Sequence, residues 1–168
     1  MRRLHLLRHA KSSWDDPALS DRDRPLAPRG RKAAARIARW AGKHDVRPRL
    51  VLCSGARRAR DTLEGVMPGL DTPEVRIEDG LYAANAQALL ERLRTLPDDV
   101  DEAMLVGHNP GLREVLLLLA EPGELRERAR AKVPTGALAT LEVTVASWSE
   151  LGPGCARIVA FVVPRELS

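Results

Sequence analysis

The chain has 168 residues, 44% of them hydrophobic and 30% charged, which is the size of one ordinary domain with enough apolar residues to close one core. A formal charge of +4, made of 27 cations against 23 anions, is too even a mixture for a nucleic-acid arm or a polybasic membrane anchor, and the 3% aromatic content leaves little for base stacking. Two cysteines far apart in the sequence give neither a disulfide framework nor a zinc spacing, and no apolar run approaches the roughly 20 residues of a membrane span, so a cytoplasmic protein in a reducing compartment is expected.

In chain order, Leu4 to Leu7 is the first short, continuous apolar run, as expected of a strand buried on both faces. It ends in Arg8 and His9. The helical pattern of Arg29 to Gly42 follows, with Pro28 at its start. A second run, Leu50 to Cys53, ends in Ser54 and leads to the helix Arg57 to Val66. A short strand over Val75 to Glu78 and a helix over Ala86 to Leu96 come next. The third run, Ala103 to Val106, ends in Gly107, His108 and Asn109, and the helix Gly111 to Ala120 follows. The last third is β-branched: Ala137 to Trp148 and Cys155 to Val163, separated by the turn "SELGPG", predict an antiparallel hairpin at a sheet edge.

Strands alternating with helices predict an α/β three-layer sandwich, a mainly parallel sheet with helices on both faces and an antiparallel C-terminal hairpin, as one domain over 1–168. Residues at the C-terminal ends of the parallel strands then converge on one crevice. Arg8, His9, Ser54, Arg57, Arg58, Arg60 and His108 meet there. Two imidazoles among guanidinium forks suit a phosphoryl group, because arginine matches its oxygens and a neutral imidazole can attack phosphorus. Nearby cations favour the neutral ring. Taken one at a time, such histidines are more often structural. His5 inside its strand and His44 at a helix end fit that role. No carboxylates accompany His9 and His108 at the strand ends, so no metal site is expected, and no cofactor.

The blocks "LRHAKSSW", "DRDRPLAPRG", "SGARRARDT" and "VGHNPG", in order and spacing, resemble the SixA-type phosphohistidine phosphatases of the histidine phosphatase superfamily, whose hallmark is Arg-His-Gly. The resemblance spans essentially the whole chain. It implies that His9 is the nucleophile, that Arg8 and Arg58 bind the phosphoryl group, and that His108 is the second histidine of the pocket. It matches Asp21 to the acid and base, and Arg24 to a further substrate-binding cation. Asp15, Asp16, Asp23, Glu78 and Asp79 are competing carboxylates. Arg-His-Ala stands here for the tripeptide, and Ala10 is small enough to keep the strand end open.

The resemblance further implies a phosphorylated protein as partner, since no stretch is left over for the insertion that covers the pocket in larger superfamily members. The alternatives are a broad phosphomonoesterase acting on small metabolites and a non-catalytic phosphate-binding module. A cysteine phosphatase needs Cys, five residues, then Arg; Ala59 stands at that place after Cys53, which disfavours it. No nucleic-acid or membrane partner is expected.

Overall fold

A computed structural model describes residues 1–167. Six strands form one sheet: β1 (Arg2–Arg8), β2 (Leu50–Ser54), β3 (Glu74–Glu78), β4 (Glu102–Gly107), β5 (Leu138–Val143) and β6 (Ala156–Val162), in the spatial order β3-β2-β4-β1-β5-β6. The first four in that order run parallel, while β5 is antiparallel to both β1 and β6. The expected sandwich and C-terminal hairpin are therefore present.

Continuous apolar runs make these strands because both faces of the sheet are covered. Successive side chains alternate between the two sides. Leu4, Leu6, Leu50, Leu52 and Leu105 pack with α3 (Ala86–Arg94) and α4 (Gly111–Leu119), through Leu89, Leu93, Val115 and Leu119. Leu7, Val51, Cys53, Met104 and Val106 face the other way, onto Ala34, Ile37 and Ala41 of α1 (Pro28–Lys43) and Leu63 and Val66 of α2 (Arg57–Val66). Truncating one of these fully buried leucines to Ala costs about 2–5 kcal/mol.

Two elements depart from the sequence expectation. The hairpin's first strand stops at Val143 rather than Trp148, because Trp148 turns inward in a short 3-10 helix (Trp148–Glu150), fully buried, its indole N–H donating to the Val100 carbonyl at 2.7 Å. A fifth helix, α5 (Glu124–Ala131), had no visible apolar stripe, and it buries only Ala129. Most of its charges face solvent, while Arg126 folds back to donate to the Leu117 carbonyl at 2.9 Å.

The topology brings the ends of β1, β2, β3 and β4 to one edge of the sheet. β5 begins at that same edge, since Leu138 pairs with Leu7. There Gly136 donates its N–H to the carbonyls of both Arg8 and His9, at 3.1 and 2.9 Å, in a positive-φ conformation (79°) that glycine adopts without strain. Gly30 serves the loop after β1. A Cβ there would lie 2.1 Å from the Lys11 carbonyl oxygen, so only glycine lets α1 start against that loop.

Candidate active site

His9 leaves β1 nine-tenths buried, and its Nδ1 lies 2.8 Å from the Ala10 carbonyl oxygen. A carbonyl only accepts, so Nδ1 carries the hydrogen and Nε2 keeps its lone pair for chemistry. Thr62 fixes the next peptide: its hydroxyl accepts from the Ala10 N–H at 2.8 Å and donates to the Arg58 carbonyl at 2.7 Å. One side chain thus links the end of β1 to the first turn of α2.

The ring of His108, delivered by β4, stands 5.1 Å from that of His9, tilted by 48°. Its Nε2 lies 2.7 Å from the Ser54 hydroxyl, at the end of β2. Tyr82, just past β3, meets the His108 ring edge-on at 5.5 Å. Four parallel strands therefore each place a residue in or beside the site.

Arg8 donates to the Val133 carbonyl at 3.0 Å, and Arg58 donates to the Asp21 carbonyl and carboxylate at 2.7 and 3.0 Å. Among the described residues, the buried side-chain polar atoms without a partner are Arg8 Nε, Arg58 Nε, His108 Nδ1 and Asn109 Oδ1. All belong to this site. Buried donors left unpaired cost free energy, and an oxyanion is what would satisfy three of them at once.

Burial pushes the His9 pKa down to about 3, opposed by its bond to Ala10 and reinforced by the charges of His108, Arg58 and Arg8. Burial, then Arg58 and Arg8, lowers His108 to about 4, with Asp21 acting the other way. Both rings are neutral at physiological pH. Asp21 falls to about 2, chiefly through the Tyr82 hydroxyl bond, with Arg58 and Arg24 adding to it against burial. Its carboxylate is therefore ionised in this arrangement.

Four of the five competing carboxylates are engaged elsewhere: Glu78 pairs with Arg92 at 2.7 Å, Asp79 with Arg22, Asp23 accepts from Ser20, and Asp16 accepts from the Ala18 N–H at 3.0 Å. Asp21, by contrast, lines a cavity of about 360 Å³ together with Arg58, Tyr82, His108 and Asn109. Arg24 is buried but braces the wall: it donates to Ser12 at 2.7 Å and to Ser13 and Asp21, with Trp14 3.5 Å over its guanidinium. Arg57 pairs loosely with Asp61 at 3.7 Å, and Arg60 donates back to the Gly55 carbonyl. Sequence reasoning overlooked Tyr82 and Thr62. The chain's one tyrosine at the end of a parallel strand was the available signal for the first; for the second it was the block "SGARRARDT" itself.

A model of the histidine phosphatase superfamily (branch 1) matches residues 4–85. The uncharacterized protein Rv1276c of Mycobacterium tuberculosis is 37% identical over 163 residues, covering 95% of this chain and 100% of that protein. The chain belongs to the histidine phosphatase superfamily, in its SixA-type branch. A solved structure from Agrobacterium tumefaciens, provisionally designated a phosphohistidine phosphatase SixA, is 30% identical with a TM-score of 0.84, over 97% of this chain and 98% of that one. A protein of the same provisional designation from Nakamurella multipartitia is 29% identical with a TM-score of 0.84, over 97% and 96% of the two chains. This SixA-type chain therefore carries the superfamily's fold over nearly its whole length. Among its described residues no helix is long and apolar enough to cross a membrane.

Proposed function

We propose that this protein hydrolyses phosphohistidine on other proteins through a phosphorylated His9. The observation that carries the reading is the neutral His9, its Nδ1–H fixed by Ala10, beside the buried His108 Nδ1, Arg8 Nε and Arg58 Nε, which have no protein partner. In the first step the Nε2 lone pair attacks phosphorus, the bond from phosphorus to the substrate's imidazole nitrogen breaks, and the bond to His9 forms. Arg8, Arg58 and His108 hold the phosphoryl oxygens as charge shifts among them. In the second step water attacks phosphorus, its proton goes to Asp21, and phosphate leaves with His9 restored.

The ionised state of Asp21 bears on the substrate. A carboxylate held near pKa 2 by Tyr82, Arg58 and Arg24 is ionised, so it can accept a proton from water but has none to give an alkoxide leaving group. A phosphohistidine supplies its own proton, because the second ring nitrogen protonates near neutral pH and imidazole then departs neutral. Nitrogen–phosphorus substrates are accordingly favoured over phosphate esters. The segments between the strands are taken up largely by helices, which leaves no long insertion to cover the pocket and agrees with a phosphorylated side chain arriving on a protein.

The test is to mix the protein with a 32P-labelled phosphohistidine peptide and quench rapidly. Label should appear on His9, be acid-labile, and vanish in His9→Ala together with roughly four to six orders of magnitude of turnover. A wild type that turns over without a labelled intermediate, or that prefers a small phosphoester a hundredfold, overturns the reading.

A further inference from the structure

A second cavity, larger than the one of about 360 Å³ beside His108, lies apart from it. A groove of about 430 Å³ lies on the α1 side of the same sheet edge, lined by Lys11, Arg29, Lys32, Arg36, Lys132 and Arg165 with no carboxylate in its wall. It draws three of the chain's four lysines onto one concave surface. Arg29, Lys32 and Arg36 recur at helical spacing along one stripe of α1. The other cations come from three separate segments.

None of the six makes an ion pair or a side-chain hydrogen bond among the described residues, although most arginines elsewhere do. Glu166, the carboxylate next to Arg165, is taken by Arg128 at 2.9 Å. The first turn of α1 contains no acidic residue, so Arg29 opposes the helix dipole where an acid would be favoured. Six like charges in one concavity repel one another, and among the described residues no carboxylate lines the groove or pairs with them.

The groove lies close to the reaction centre. Lys11 is two residues past His9, and Thr135 precedes the Gly136 that bonds to the His9 carbonyl. Arg165 follows β6, which lies two strands over from β1 at the same edge, about 10 Å at the usual strand spacing. An extended chain covers that distance in about three residues.

The geometry points to a docking site for an acidic segment of the phosphorylated protein substrate, seated in this groove while the phosphohistidine reaches His9. This rests on the phosphohistidine reading and deepens it. The side chains argue for a row of carboxylates rather than a single phosphate. All but Arg36 are exposed, three are flexible lysines acting as point charges, and no buried unpaired donor is aimed into the groove. A phosphate subsite is built the other way, with guanidinium forks whose Nε atoms are buried and unpaired, as in Arg8 and Arg58.

Two synthetic phosphohistidine peptides test this. They are identical except for four glutamates or four glutamines beginning three to four residues from the phosphohistidine. The wild type should show kcat/KM higher for the acidic peptide by roughly tenfold or more at low salt, falling toward parity as ionic strength rises. The triple variant R29E/K32E/R36E should lose or reverse that preference while hydrolysing the glutamine peptide at the wild-type rate. Acids at positions 29 and 32, near the start of α1, favour the helix dipole, and position 36 is not in the core, so the variant should fold, which a thermal melt checks. Equal rates on the two peptides in the wild type, or a preference kept in the variant, overturn the docking site and leave the phosphohistidine reading standing. A wild type that hydrolyses neither peptide sinks that reading and the docking site with it.

Discussion

Two clusters of cations share one edge of the sheet and are built in opposite ways. At the strand ends, Arg8, Arg24 and Arg58 are each tied by hydrogen bonds to backbone or carboxylate oxygens, and Arg24 and Arg58 are nine-tenths buried. In the groove along α1 the cations are unpaired and mostly exposed. Held guanidinium groups suit a reaction whose charge moves by fractions of an ångström. Free ones suit recognition of a partner whose acidic side chains arrive in variable positions. The contrast teaches that the number of arginines says little about a site; what binds each of them decides its use.

Breaking the fixed cluster should have the largest effect. Arg58→Lys keeps the charge but loses the fork that grips Asp21 while presenting Nε to the site, and should lower kcat by roughly 10²–10³ in steady-state assays. The reverse exchange in the groove, Lys32→Arg, should leave kcat unchanged. Loss of rate at both positions would erase the distinction between the clusters.

Thr62→Val should act on placement. It leaves the buried Ala10 N–H without its acceptor and should cost about 1–3 kcal/mol in denaturant unfolding, with a fall in kcat. Thr62→Ser, which keeps the hydroxyl, should restore most of the rate. Failure of Ser to do so would show that packing, not the hydrogen bond, positions His9.

A further effect is expected on stability against pH. His9 and His108 are held neutral when folded, with pKa values of about 3 and 4, but titrate near 6.5 when unfolded. Below about pH 6.5 the unfolded chain binds more protons, so stability is complete above that pH and declines as pH falls toward 3. His108→Asn should flatten the decline in melts taken between pH 7 and 4.5. An unchanged slope would mean that the ring is not held neutral in the folded protein.

Much of this arrangement was legible in the residues. Continuous apolar runs ending in His9 and His108 have few structural alternatives to buried parallel strands, so the edge where they meet followed directly. The single-file pattern failed where side-chain fate depends on distant partners. Trp148 looked like the end of a strand because its burial beneath Val100 is a tertiary contact. The helix Glu124–Ala131 shows no stripe because one alanine suffices to seat it. The bond from Tyr82 to Asp21 joins residues from separate loops and has no local signature. The groove escaped notice because its cations come from four separate stretches of chain and read, one by one, as solvated surface.

The strand that carries His9 is made first yet sits between β4 and β5, whose residues lie about a hundred and more positions downstream. A chain emerging from the ribosome holds the complete Arg8-His9 pair long before anything can flank it. Closing such distant pairings demands large loop entropies, which slows folding. Competence should therefore appear abruptly and late in synthesis, when Gly136 and the hairpin behind it lock the first strand in place.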